Sequence, residues 1–159
     1  MKQLEKQKEK KAAILEDMLS CIEYVPNREQ DILALMEQYQ KADGEHRPGI
    51  LEYLRACMDG GEYPNPYAGS YHYTPKDVER CGEILDAYMD GLIQAEGDTN
   101  AVSARVRDTV FQLNELNDRC CGCLVDTWRR ERLCNLINTA AETAGLVPET
   151  DLTLQHRMW

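Results

Sequence analysis

The stretch Thr74-Pro75-Lys76-Asp77-Val78-Glu79-Arg80-Cys81-Gly82-Glu83-Ile84-Leu85-Asp86-Ala87-Tyr88-Met89-Asp90-Gly91-Leu92 decides the fold class. It opens as a helix start. Thr74 is an N-cap, Pro75 takes the first helical position where its missing N–H costs nothing, and Asp77 follows the cap by three. Val78, Cys81, Leu85, Tyr88 and Leu92 then recur at spacings of three and four, the period of an amphipathic helix and not the alternation of a strand. The helix is expected to reach about Ala95, with Gly97 as a left-handed exit.

Working outward, the same punctuation divides the rest of the chain into helix-length pieces. Immediately upstream, Glu62-Tyr63-Pro64-Asn65-Pro66-Tyr67-Ala68-Gly69-Ser70-Tyr71-His72-Tyr73 carries proline, glycine and asparagine too densely for a helix, and is the one long loop. Before it, a helix beginning beside Pro48 carries Ile50 or Leu51, Leu54, Cys57 and Met58 to a stop at Gly60-Gly61. Another, over 28–41, carries Ile32, Leu35, Met36 and Tyr39. The first helix spans about 2–23, with Leu15, Met18, Leu19 and Ile22 on one face, and its Lys-rich first turns are expected to fray.

Downstream, Asp98, Thr99 and Asn100 offer a new cap for a helix through Val102, Val106, Val110, Leu113 and Leu116 to the Arg119 region. The last helix presents Leu133, Leu136, Ile137, Ala140, Ala141 and Ala144. Arg129, Arg130 and Arg132 would oppose its dipole if they sat in its first turn, so it should start upstream, near 124–126, with Asp126 paired to Arg130. Trp128 then lies off the apolar stripe and needs cover from the Cys120–Cys123 turn or from the tail carrying Trp159. The expected architecture is all-α, a single irregular bundle of about six helices over 1–145, with a Tyr-rich loop between the third and fourth and a C-terminal tail over 146–159.

Composition limits what such a domain can do. The 159 residues include eighteen Lys and Arg against twenty-eight Asp and Glu, a net charge of −10, and that field repels a phosphate backbone, so direct nucleic-acid binding is not expected. No run approaches the roughly eighteen apolar residues of a membrane span. The opening Met1-Lys2-Gln3-Leu4-Glu5-Lys6 has no apolar core of the kind that drives secretion, so a cytoplasmic protein is expected.

Seven cysteines form an odd set, which fits reduced thiols better than a disulfide framework. Cys120-Cys121-Gly122-Cys123 is the densest group of soft ligands, with Cys134 beyond it. It offers a single CxxC spacing, Cys120 and Cys123, with no second pair to complete a four-ligand site, and adjacent cysteines at a helix end point about 100° apart, so packing around a turn accounts for it and no metal or cofactor is expected. His46, His72 and His156 sit in loops and the tail, without the Glu spacing of a di-iron bundle. No nucleophile elbow, phosphate loop, dinucleotide fingerprint or EF-hand occurs, so nothing marks an enzyme.

Charge is distributed unevenly. Residues 1–11 carry five Lys against two Glu, residues 12–100 carry six basic against eighteen acidic side chains, and residues 101–159 are near balance. Within the acidic middle, Glu79, Glu83, Asp86 and Asp90 follow at four, three and four, which places them within about 60° of one line opposite Cys81, Leu85, Tyr88 and Leu92. This carboxylate ridge admits three readings: a solvated face, a surface neutralised by Arg105, Arg107, Arg129, Arg130 or Arg132 from a neighbouring helix, or a docking surface for a basic protein. Tyr63, Tyr67 and Tyr71, with Tyr73, precede it as candidate anchors, and at least two of the rings are expected to fold back over the core.

In size, charge and helicity the chain resembles the small immunity or inhibitor proteins that neutralise basic toxins, nucleases especially. That resemblance implies a binding module whose acidic face, with Glu79, Glu83, Asp86, Asp90, Tyr63, Tyr67 and Tyr71, occupies a positive site on a partner protein. Two other readings stand beside it. One is a metal- or thiol-dependent small-molecule enzyme using the 120–123 cysteines, and the other a homo-oligomer in which the apolar faces of the last two helices meet a second copy.

Overall fold

Asp77 closes the helix start at Thr74 as the sequence implies: its carboxylate accepts from the Thr74 N–H at 2.9 Å and from the Thr74 hydroxyl at 3.2 Å. A computed structural model of the chain describes residues 2–63, 65 and 71–159, and among them every regular element is helical. The helices are α1 (Lys2–Ile22), α2 (Arg28–Lys41), α3 (Arg47–Met58), α4 (Pro75–Gln94), α5 (Thr99–Arg119) and α6 (Thr127–Thr143). The fold is all-α. No described helix is long and apolar enough to cross a membrane.

Packing sorts these helices into two compact units, one of Met1–Ile22 with Tyr71–Trp159 and one of Glu23–Ser70. This grouping differs from one domain over 1–145 with a separate tail, because α2 and α3 pack on each other around their own small core while the remaining helices and the tail share another.

In the first unit α1 lies against α4 and α6, and α4 against α5. The stripes read from α4, α5 and α6 are all buried here, joined by Ile14 and Met18 of α1. Each large side chain so buried contributes about 1.5–3 kcal/mol of transfer free energy. The buried hydroxyls are satisfied: Tyr88 donates to the Ile137 carbonyl at 2.8 Å and Tyr73 to the Met18 carbonyl at 2.7 Å. Two glycines of α4 allow close approach. A Cβ on Gly82 would stand 3.0 Å from Leu15 Cδ1, and one on Gly91 would stand 3.0 Å from Arg105 Cδ.

Three details depart from the sequence reading. The inward face of α1 runs through Gln7, Ile14 and Met18, leaving Leu19 exposed, and the helix is continuous from Lys2, with Lys10 reaching Asn135 Oδ1 of α6 at 2.7 Å. Helix α6 starts at Thr127, capped by Asp126, whose carboxylate accepts from the Arg129 N–H at 2.8 Å instead of pairing with Arg130. Arg129 therefore does sit in the first turn. The unfavourable dipole there is offset by the carboxylates of Asp126 and Asp17. Trp128, expected to be covered, stays 39% exposed, with the Arg132 guanidinium stacked 3.4 Å from its ring centroid in a cation–π contact.

The tail is held by two asparagines acting as backbone mimics. Asn138 of α6 donates to Asp151 and accepts from the Leu152 N–H, both at 2.9 Å, while Asn114 of α5 donates to the His156 carbonyl at 2.8 Å and accepts from the Met158 N–H at 3.0 Å. Leu152 and Trp159 consequently pack on the core.

The second unit is an antiparallel helix hairpin. Leu35, Leu54 and Cys57 are buried, with Ile32, Ile50 and Tyr63 packed around them. Arg28 donates to the Gly61 carbonyl at 2.7 Å, closing one end, and Arg47 donates to the Ala42 carbonyl at 3.0 Å, closing the other.

Arg129 is the first unit's most consequential polar residue. It is 3% exposed, and its guanidinium donates to Asp17 Oδ2 at 2.7 Å, to the Leu124 carbonyl at 3.0 Å and to Cys21 Sγ at 3.1 Å. Replacing Arg129 by Met is expected to cost about 3 kcal/mol, since it orphans the Leu124 carbonyl and an Asp17 carboxylate only partly open to water. Urea unfolding monitored by circular dichroism measures this, and Asp17→Asn in the Arg129→Met background should then add little.

Candidate functional site

Helix α4 places the ridge. With its apolar face committed to the core, Glu79, Glu83, Asp86 and Asp90 stand exposed on the opposite side. Asp86 accepts from Lys11 Nζ of α1 at 2.6 Å and Glu83 from Arg80 Nη1 of its own helix at 3.0 Å, while Glu79 and Asp90 carry no ion pair among the described residues. No arginine of α5 or α6 pairs with the ridge among those residues. Arg105 lies across Gly91, Arg107 pairs with Asp108, Arg129 with Asp17, and Arg132 stacks on Trp128. The two exposed pairs the ridge does make are worth up to about 1 kcal/mol each.

Toward the C-terminal end of α4 the ridge runs into a cleft of about 240 Å³ bounded by the first turns of α1 and the last turns of α6. Leu4, Met89, Ile93 and Ala140 give it apolar walls. Glu5, Asp86, Asp90 and Glu96 contribute carboxylates, and Lys8 is tied to Glu5 at 3.3 Å. Ile93 is 57% exposed there, an apolar side chain offered to solvent between carboxylates. An apolar pocket beside acidic groups suits a side chain or segment that is apolar on one edge and cationic on the other.

The tyrosines separate. Tyr71, half-buried, belongs to the first unit and lies four residues before α4, and Tyr73 is buried in that unit's core. Tyr67 lies outside the described residues. Tyr63 belongs to the second unit, where its hydroxyl donates to Asp31 Oδ2 at 2.6 Å and its ring lies under Arg28 at 5.7 Å. Tyr24 donates to the same oxygen at 2.6 Å, and the Asn27 N–H reaches it at 3.3 Å. Burial alone would raise the Asp31 pKa, but the three donors outweigh it and hold the carboxyl below its ordinary value. The same bonds push Tyr63 upward, Asp31 being the main cause, and Tyr24 upward with burial first. This Tyr-Asp-Tyr clamp was not read from the sequence. Its signal was an acid at position 31, four residues before the core Leu35 and so on the inward face.

The cysteine group forms a turn. Cys120 is buried at the end of α5, Cys121 takes φ 55° and Gly122 φ 73°, and Cys121 and Cys123 point to solvent. Burial pushes the Cys120 thiol up to about 11 and that of Cys81 up to about 12, which suits small apolar packing groups and not nucleophiles. Among the described residues no three His, Cys, Asp or Glu side chains converge as metal ligands. The apolar faces of α5 and α6, on which the oligomer reading rested, are occupied within the first unit. No protein-family model, curated protein or solved structure matches the chain.

The clamp sets a pH dependence for the α2–α3 hairpin. Because the folded-state pKa of Asp31 lies below its unfolded value near 3.9, its stabilisation is present above about pH 4 and is lost as pH falls through the folded value. Hydrogen-exchange protection of α2 and α3 amides should hold from neutrality to about pH 5 and drop on further acidification. Asp31→Asn should already lose about 2 kcal/mol of protection at pH 7 and respond much less to acid.

Proposed function

We propose that this chain is a protein-binding module whose α4 ridge and adjoining cleft receive a basic partner, and that it acts in the cytoplasm as an immunity or inhibitor protein against a basic toxin such as a nuclease. The observation that carries the reading is the state of the ridge. Four carboxylates stand in solvent along one line, met by one lysine and one arginine, and continue into an apolar-walled cleft with further carboxylates on it. Like charges at these spacings cost a helix a few tenths of a kcal/mol per pair, a penalty that a cationic partner reverses on binding.

A net charge of −10 supports the same reading, since it accelerates encounter with a basic surface and repels nucleic acid. Occupying a nuclease's positive substrate site requires an acidic surface of this kind and no catalytic group of its own. A toxin gene directly upstream of the coding sequence would name the partner.

The test uses the native host at low salt. Pull-down should recover a basic protein that the Glu83→Lys/Asp86→Lys variant releases, with affinity falling at least tenfold and binding weakening steeply as salt rises. Glu83→Gln/Asp86→Asn should leave the melting free energy of the isolated protein within about 1 kcal/mol of wild type, because it removes two surface pairs and relieves ridge repulsion together. A partner that binds both variants as tightly as wild type defeats the proposal, as does a large loss of stability with affinity unchanged.

A further inference from the structure

The line of the ridge does not stop at Asp90. Counting back along α4 from Ile93, carboxylates stand three, seven, ten and fourteen residues away, at Asp90, Asp86, Glu83 and Glu79, and all five side chains fall within about 80° of one line. That line runs about 21 Å along the helix axis. At its C-terminal end lies the cleft, where Leu4 of α1, Met89 and Ile93 of α4 and Ala140 of α6 form the apolar wall. A complementary surface needs one apolar group at one end and cations at helical spacing behind it, and a helix laid along α4 supplies both on a single face.

Charge at the cleft sets the direction of such a helix. Helices α4 and α6 both end there: the Gly97 N–H donates to the Ala144 carbonyl at 3.1 Å, and Glu96, Thr143 and Ala144 line the cleft. Neither helix has a basic residue in its last turn, so the negative ends of both dipoles lack a compensating side chain of their own. Asp90 and Glu96 add carboxylates that carry no ion pair among the described residues. A partner helix that starts at the cleft brings the positive end of its own dipole there, which makes it antiparallel to α4.

Helix α1 already uses this arrangement within the chain. It runs antiparallel to α4, with Leu4 in the cleft wall and Lys11, seven residues later, reaching Asp86, which lies seven residues before Ile93. An apolar residue followed by a cation at helical spacing is thus the pattern the ridge accepts from its own neighbour, and Glu79 and Asp90 are left without an ion pair among the described residues.

We infer that the partner binds through one amphipathic helix lying antiparallel to α4, with an apolar side chain near its N-terminus in the cleft and Lys or Arg three, seven, ten and fourteen residues later over Asp90, Asp86, Glu83 and Glu79. The inference rests on the ridge being a surface for a basic partner, and adds the secondary structure, direction and sequence pattern of the element that meets it.

The probe is a pair of alanine-based helical peptides with blocked ends. One has a leucine near its N-terminus followed by lysines three, seven, ten and fourteen residues on, and the other has the same sequence reversed. Titrated with the full chain at low salt and followed by fluorescence anisotropy, the first should bind about three- to fivefold tighter than the second. Replacing its leucine by alanine should weaken binding about fivefold to wild type and less than about twofold to Ile93→Gln, a coupling that general charge attraction does not produce. Ile93→Gln, a surface change, should keep the helicity of wild type, and Glu83→Gln/Asp86→Asn should flatten the salt dependence. Equal binding of both peptides with no dependence on the leucine, or tighter binding of the reversed one, overturns the inference and leaves the ridge reading intact. Failure of both peptides to bind also overturns it, and the ridge reading falls as well only if the host pull-down recovers no basic protein.

Discussion

The first unit depends on one buried cation. Arg129 enters the core from the first turn of α6, a position where the helix dipole disfavours a positive charge, and is held there by Asp17 of α1, the Leu124 carbonyl of the α5–α6 turn and the face of Tyr73 just before α4. Desolvating a guanidinium costs several kcal/mol unless its donors are met in good geometry. That cost is offset only when α1, the turn and the segment leading into α4 are all in place, so this one side chain fixes their relative positions in a way that non-directional apolar contact cannot.

That constraint explains the arrangement of α4. Tyr73, beneath the Arg129 guanidinium, donates to the Met18 carbonyl and so ties the start of α4 to the end of α1, while Gly82 and Gly91 let Leu15 and Arg105 lie close along the helix. With its inward face so engaged, α4 has no rotational freedom to hide its carboxylates. The ridge is exposed because the opposite side is fully spent, and Lys11 meets Asp86 because α1 runs beside it. The exposure that supports a binding function is thus a consequence of core geometry.

The second unit follows another plan. Its centre is a carboxylate and not a cation, with Asp31 receiving two phenol hydroxyls and a backbone N–H at the end of a hairpin whose apolar core is small. Directional bonds to a charged acceptor are stronger than neutral ones, so the clamp contributes order that three buried side chains alone would not. Both units place a buried charge where helices must meet.

Local chemistry in the sequence determined the helices. Caps at Thr74 and Asp98, Pro75, the glycine stops and the stripes at three and four act within a few residues, and they placed α4 and α5 and the apolar face of α6, though not the start of α6 at Thr127. Tertiary structure decided the rest. Arg129 stood in the sequence as one of five arginines that could meet the ridge, but its partner Asp17 lies 112 positions away, and the Tyr63 hydroxyl is engaged by Asp31, 32 positions earlier. Leu19 shares the first helix's apolar pattern with Met18, and which of them turns inward depends on where α4 and α6 lie. The periodicity of one helix reports that it has a buried side, while the partner on that side is set by contacts between distant segments, whose energies no local pattern encodes.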